Sequence, residues 1–254
     1  MSDAILFEMR GPVALITINR PEARNAINAE VRAGLHAAWK RFEEDEAALV
    51  AILTGAGDRA FCAGMDLKEA SATGLKVPAR GFIPILGDSV QVSKPTIAAV
   101  NGAAMAGGWL FAQMCDLCVA ADHATFAITE ARVGRGTPWA APLVHMLPQR
   151  IVMELLLTGE PMTAARMRDL GYVNHVVPSA QLIPRSLELA QRIAANAPLT
   201  VRAARALVYA STETGRTEAL RAGDRLFEPV YLSEDAQEGP RAFAEKRAPL
   251  WKGR

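Results

Sequence analysis

The stretch Thr96-Ile97-Ala98-Ala99-Val100-Asn101-Gly102-Ala103-Ala104-Met105-Ala106-Gly107-Gly108-Trp109-Leu110 decides how this chain is read. Its first part, introduced by Pro95, is a short apolar run that ends at Asn101-Gly102, and it predicts a strand followed by a turn. Its last part reads as a helix opened by two glycines. A helix start carries unpaired N–H donors and a partial positive charge, an arrangement suited to a developing oxyanion. The wider apolar region, Thr96 to Ala121, is interrupted by Asn101, Gly102, Gln113 and Asp116. It falls short of the roughly 18 uninterrupted apolar residues of a membrane span, so it is predicted to be core.

Outward from this centre, strands and helices alternate. Val13 to Asn19 is rich in branched residues and is stopped by Arg20-Pro21. Asn28 is placed to cap a helix whose Val31, Leu35, Trp39 and Phe42 share one face. Leu49 to Thr54 is a further strand, ending in Gly55-Ala56-Gly57-Asp58. Beyond Asp116 come two short strands, Leu117 to Ala120 and Thr125 to Ile128, and from Pro138 onward the pattern reads as helix after helix. The C-terminal helices are predicted at Ala180 to Ala197, Thr200 to Ser211, Thr217 to Tyr231 and Ser233 to Lys246, with Pro198 and Pro240 as punctuation. The order is that of an α/β protein, divided into a core of residues 1–195 and a helical C-terminal region of residues 196–254. Ser71 to Leu86 has no clear period; a loop of this length is either a binding lid or pocket wall, or a variable surface loop.

Composition narrows the function. Half of the 254 residues are hydrophobic and 22% are charged, which excludes disorder and supplies one large core or a core with a small appendage. With 28 basic against 27 acidic side chains, the net charge of +1 gives no general field for nucleic acid or an anionic membrane. Cys62, Cys115 and Cys118 make a small, odd set, and the N-terminus lacks a basic, apolar, cleavable pattern, so a reduced cytoplasmic protein is expected.

A second glycine site lies in Ala60-Phe61-Cys62-Ala63-Gly64-Met65-Asp66-Leu67-Lys68-Glu69, where an extended segment passes small residues into a helix. If the two sites converge, the N–H groups of Met65 and Gly107 grip one carbonyl oxygen. Taken singly, each glycine site is equally well read as tight helix packing.

Together the segments resemble the crotonase (enoyl-CoA hydratase/isomerase) superfamily from Val13 to the C-terminus. The resemblance rests on Leu15-Ile16-Thr17-Ile18-Asn19-Arg20-Pro21-Glu22-Ala23-Arg24-Asn25-Ala26, on Phe61 to Leu67, on Asn101-Gly102 through Gly107-Gly108, and on Glu238-Gly239 with Ala242 to Arg247. It implies a spiral of repeated ββα units with a helical C-terminal region, assembled as a homotrimer or a dimer of trimers. It further implies an acyl-CoA substrate whose enolate is held by the Met65 and Gly107 N–H groups. Ala23, Arg24, Ala63, Asp66 and Leu67 would lie along the nucleotide part of coenzyme A, with Gly64 and Gly108 in the same glycine sites. Phe243 and Lys246 would approach a coenzyme A site, often a partner's. A Lys is frequent in the family where this chain has Glu22.

The family's hydratases use two glutamates. Leu110 occupies the first position here, and Glu130, in Thr129-Glu130-Ala131-Arg132-Val133-Gly134, matches the second, with Thr129 in place of the usual proline. Adding water needs an activated water and a proton for the α-carbon, whereas moving a double bond needs one carboxylate. Isomerisation is therefore expected over hydration. A hydratase with a non-standard water site and a non-catalytic acyl-CoA-binding protein are the alternatives. By residue type alone, Glu130 also reads as a surface carboxylate paired with Arg132 or Arg135. Gly136-Thr137-Pro138-Trp139 lacks the Asp nucleophile of the family's dehalogenases, and Trp139 is either an acyl-pocket wall or a core tryptophan.

Three other signals are set aside. Gly55 to Ala60 imitates a dinucleotide fingerprint without the helix and acidic partner that it needs. Cys115-Asp116-Leu117-Cys118 has redox spacing but stands at a helix end, where nothing lowers a thiol pKa. His36, His123, His145 and His175 lack metal-ligand spacing. No metal and no cofactor other than the substrate's own coenzyme A is expected.

Overall fold

The computed structural model describes residues 3–74 and 76–254, so that Leu75, inside the Ser71 to Leu86 stretch, lies outside it. The chain opens with β1 (Ile5–Arg10), antiparallel to β2 (Val13–Ile18) across a turn at Gly11. In β1 only alternate residues, Ile5, Phe7 and Met9, face inward, as in a half-covered edge strand. Next comes α1 (Ala29–Glu44), capped by Asn28, whose side chain accepts from the Val31 N–H at 3.0 Å. The predicted face of Val31, Leu35, Trp39 and Phe42 is buried.

Three ββ turns follow, each placing its first strand in a large sheet and its second in a small one. These are β3 (Val50–Gly55) with β4 (Ala60–Cys62), then α2 (Leu67–Thr73); β5 (Thr96–Val100) with β6 (Ala103–Met105), then α3 (Gly107–Gln113); and β7 (Leu117–Ala121) with β8 (Thr125–Ala127), then a 3-10 turn at Glu130–Val133. The large sheet runs β1-β2-β3-β5-β7 and is closed by β10 (His175–Val177). All its pairings after the first are parallel. The small sheet runs β4-β6-β8 in parallel and adds β9 (Met162–Thr163) antiparallel. Every residue of β3 and β5 is buried, the signature of a parallel strand covered on both faces.

A 3-10 helix at Pro138–His145 leads to α4 (Gln149–Thr158), β9, α5 (Ala164–Asp169) and β10. The C-terminal part is α6 (Leu182–Ala194), which packs on the large sheet, then α7 (Pro198–Glu213), α8 (Arg216–Tyr231) and α9 (Glu234–Ala244). Two expectations are corrected here. The chain beyond Pro138 is not purely helical, because β9 and β10, too short to show a period, become strands by pairing with β8 and β7. Pro240 does not end a helix: it lies within α9, as Pro229 lies within α8. At α9 the surrounding bonds offset the lost N–H. Ser233 caps its start, and buried Asp235 and Glu238 hold the main chain of Lys252, Gly253 and Leu250. No helix of the described residues is long and apolar enough to cross a membrane.

Candidate active site

Two buried asparagines hold successive turns of the spiral in register. Asn25 donates to the carbonyls of Ala56 and Ala60 at 3.0 and 2.8 Å, and Asn101 accepts from the Gly55 N–H at 3.1 Å while donating to Gly57 at 2.8 Å. A Cβ at Gly102 would stand 2.6 Å from the Arg59 carbonyl, so this turn admits only glycine. These bonds fix where β4 and β6 end, and the site begins at those ends.

Past β4, the segment Ala23 to Ile27 runs beside Ala63 to Asp66. The Ala63 N–H donates to the Arg24 carbonyl at 3.0 Å, that of Ile27 to Gly64 at 2.8 Å, and that of Asp66 to Ile27 at 3.0 Å. In this parallel bridge the Met65 N–H points to the opposite side, away from Ile27. Gly64, at φ +87°, lets the chain lie flat on the start of α3, where a Cβ would be 2.9 Å from both the Ala106 Cβ and the Met105 carbonyl and 3.4 Å from the Gly107 nitrogen. Ala106 is itself left-handed, φ 54°, ψ −128°, a strained setting for a residue with a Cβ. It turns the chain so that the Gly107 N–H, which has no carbonyl one turn earlier to accept it, opens beside Gly64 and Met65. Among the described residues neither the Met65 nor the Gly107 N–H donates a hydrogen bond, and Gly64, next to Met65, lies against Gly107.

The third component follows β8. The Ala106 N–H donates to the Ala127 carbonyl at 2.8 Å, and three residues beyond Ala127 stands Glu130. Met65, Gly107 and Glu130 thus follow the carboxyl ends of three neighbouring parallel strands, the end of such a sheet where ligands characteristically bind. Glu130 is 8% exposed, and its Oε2 is buried with no partner among the described residues. Burial raises its pKa to about 7. The surface ion pair with Arg132 does not form: Arg132 binds Glu160 and donates to the Thr158 carbonyl at 3.2 Å. A carboxyl of pKa about 7 can take up and return a proton at neutral pH.

The enoyl-CoA hydratase/isomerase family model matches residues 8–254. This chain belongs to that family. It is 41% identical to an enoyl-CoA hydratase of Mycobacterium tuberculosis over 98% of this chain and 96% of that one. It is also 41% identical to a carnitinyl-CoA dehydratase of Proteus mirabilis over the full length of both. Among solved structures it resembles a probable enoyl-CoA hydratase/isomerase of Mycobacterium abscessus, at 42% identity and a TM-score of 0.89 with both chains covered completely. The spiral fold expected from the resemblance is therefore the fold of this enoyl-CoA hydratase/isomerase family member.

Within it, the other predicted positions separate by what they do. Ala23 and Arg24 lie on the short 3-10 turn after Pro21, Arg24 exposed and left-handed, beside a cleft of about 130 Å³ that it lines with Asn25, Asp58 and Arg59. Asp66 is engaged in structure: it caps α2 through the Lys68 and Glu69 N–H groups and pairs with Arg20 at 3.2 Å. Leu67 is exposed on the first turn of α2. Gly108 is buried, and a Cβ there would stand 2.0 Å from the Cys62 carbonyl, so its part is close packing of α3 on β4. Leu110 is buried one turn beyond Gly107. Phe243, 87% exposed, lies in the last turn of α9, and Lys246 follows just beyond its end.

Four contributors escaped the sequence reading. Arg20 ties the Asp66 cap to the Ala26 carbonyl at 2.7 Å. Ile27 and Ile83 approach Gly107, where a Cβ would be 3.1 and 3.9 Å from their terminal carbons. Ile83 belongs to the Ser71 to Leu86 stretch, whose later part thus lies beside Gly107; there the Gly81 carbonyl accepts from His36 Nε2 at 3.0 Å, and Phe82 lies under Arg32. Gln113 reaches the Trp139 carbonyl. None carries a local signal, since each acts through a residue distant in sequence. The thiols are buried, those of Cys62 and Cys118 pushed up to about 12 by burial, as unreactive cysteines are. No group of three His, Cys, Asp or Glu among the described residues is placed to hold a metal.

Proposed function

We propose that this protein moves a proton on an acyl-CoA thioester through an enolate, with the Met65 and Gly107 N–H groups binding the thioester oxygen and Glu130 as the only acid/base side chain. The observation that carries this reading is the position of these three groups beyond neighbouring parallel strands, with Glu130 buried and titrating near 7. On a 3-enoyl-CoA, the Glu130 carboxylate removes a proton from the α-carbon, and the electron pair moves onto the thioester oxygen. The carboxylic acid so formed then returns the proton to the γ-carbon as the double bond shifts into conjugation. One such amide donor is typically worth about 2.7–4 kcal/mol in the transition state. Arg24 and Lys246 would meet the phosphates of coenzyme A, and the only cofactor required is the one the substrate carries.

Isomerisation is favoured because Leu110, buried and apolar, supplies nothing to hold a water. Glu130→Gln should abolish turnover of a 3-enoyl-CoA while leaving binding of a coenzyme A ester intact; unchanged turnover would refute the role of Glu130. The names of the relatives support a second reading, reversible loss of water from a 3-hydroxyacyl-CoA. Glu130 would then take the α-proton and deliver it to the departing hydroxyl on the same face. Leu110→Glu discriminates the two. A large gain in hydration is expected if the missing carboxylate is limiting, and no gain in an already efficient hydratase would defeat the isomerase reading.

A further inference from the structure

We propose that Gln113 is a specificity-determining residue of the acyl site: its side-chain oxygen, Oε1, accepts a hydrogen bond from a neutral donor, a hydroxyl or an amide N–H, carried on the acyl chain well beyond the reacting carbons. The inference rests on the reading that the Gly107 amide binds the thioester oxygen, and it names the class of acyl-CoA that this same site takes. Among the described residues three buried side-chain polar atoms lack a hydrogen-bond partner: Trp39 Nε1, Gln113 Oε1 and Glu130 Oε2. Folded proteins pair nearly all such atoms, so each calls for a partner from outside the chain or for another cause. Trp39 lies on α1, whereas the other two lie on elements of the site: Glu130 is its acid/base group, and Gln113 ends the helix that Gly107 begins. Gln113 is 5% exposed.

Its amide is fixed. Nε2 donates to the Trp139 carbonyl at 2.9 Å, and since a carbonyl only accepts, the nitrogen is bound to that side and the oxygen is turned away from it. Trp139 is the second residue of the 3-10 helix Pro138–His145, which packs on α3, so the Gln113 side chain spans from one element to the other. Its neighbours along the chain, Leu110, Phe111, Ala112 and Met114, have no side-chain donor. Gly107 and Gln113 are the first and last residues of α3, so a rise of about 1.5 Å per residue separates them by about 9 Å along its axis. Leu110, between them, presents only hydrocarbon. An acyl chain held by its carbonyl at Gly107 and laid along α3 thus meets an apolar side chain first and the Gln113 oxygen after it. A plain hydrocarbon end would leave Oε1 unpaired, which is unfavourable, and a hydroxyl or amide N–H there satisfies it. A carboxylate has no proton to give to the same oxygen, and an ammonium group finds no acidic side chain on α3 to pair with.

The test uses the whole protein and matched pairs of saturated straight-chain acyl-CoA esters, each pair with and without a terminal hydroxyl, over a range of chain lengths, with binding read by calorimetry. For the pair whose chain end lies about 9 Å from the thioester carbonyl, the hydroxylated ester should bind about fivefold to tenfold tighter. Gln113→Leu should abolish that preference while keeping the affinity for the plain ester. An equal loss for both members in Gln113→Leu would make Gln113 a structural residue and overturn the proposal, as would equal binding of the two members at every length by the wild-type protein. The wild-type comparison decides the matter even where Gln113→Leu does not fold. A crystal structure with the preferred ester should show its hydroxyl within hydrogen-bond distance of Oε1; a buried water kept on Oε1 in that complex overturns the proposal. If the preference is found and no thioester is turned over, the specificity stands and the proposed reaction fails. If no ester of any pair binds, the proposed function falls together with this inference, whereas equal binding within every pair removes the inference alone.

Discussion

At the scale of single residues, Glu130 links activity to stability. Its folded pKa of about 7 exceeds the ordinary value of 4.5, so the folded state holds the proton more tightly than the unfolded one. The resulting stability is fully present below about pH 4.5 and is lost as pH rises through about 7, a difference on the order of 3 kcal/mol from the shift. Above pH 7 an ionised carboxylate is held in an apolar site. Glu130→Gln should therefore raise Tm by a few degrees at pH 8 and change it little at pH 5, read by calorimetry at both values; an equal effect at the two pH values would contradict the burial of the charge. For the same reason kcat/KM should climb with pH through an apparent pKa near 7, since the free enzyme must be ionised to act as a base. Glu130 was legible in the sequence as a motif position. Its burial was not, because Arg132, the neighbour that could have held it at the surface, is drawn away by Thr158 and Glu160, 26 and 28 residues distant.

At the scale of elements, the short helix α3 is the most constrained piece of the molecule. All seven of its residues are buried, and its second glycine touches the Cys62 carbonyl of β4 so closely that no side chain fits. Gly108→Ala must displace backbone, where the usual penalty of overpacking, about 1–3 kcal/mol, is a lower bound. The variant should unfold at clearly lower denaturant concentration than the wild-type protein and lose activity. A variant that keeps both would show that α3 and β4 are less tightly joined than the 2.0 Å approach implies. The glycine pair was readable as a helix start or as a packing device, and the two glycines divide the alternatives. Gly107 opens the helix toward Gly64 with its amide unpaired among the described residues, and Gly108 packs. Helix caps were likewise legible, as at Asn28, because a cap is local. The strands β9 and β10 were not, because two or three residues carry no period and exist as strands only beside their partners.

At the scale of the whole molecule, the C-terminal region is unevenly covered. We place its start at residue 196, after α6, the last helix laid on the large sheet. Beyond it, α7 is tied back by Arg205, whose Nε donates to Asp116 at 2.9 Å, and by the Tyr209 hydroxyl at 2.7 Å from the same carboxylate. Yet α8 buries none of its residues, and Leu220, Tyr231, Leu232 and Phe243 stand open to solvent. Large apolar side chains left exposed along one helical region call for a covering surface. In keeping with the resemblance, the chain is expected to assemble as a trimer or a dimer of trimers, bringing Phe243 and Lys246 to a coenzyme A site. Light scattering coupled to size exclusion should give three or six times the 27.2 kDa of the chain, and a monomer would remove these two residues from the site.

The sequence by itself determined the family, those strands and helices long enough to show a period, the two glycine sites and the retained glutamate, because each is written in local chemistry or in spacing along the chain. Only the tertiary structure decided that Gly64 and Gly107 lie against each other, that Glu130 is buried, and that Gln113 reaches across to the Trp139 carbonyl. Those facts depend on which strand ends become neighbours. Parallel pairing brings together residues 20 or more positions apart, as at Ile97 and Leu117, and no local pattern records the distance between them.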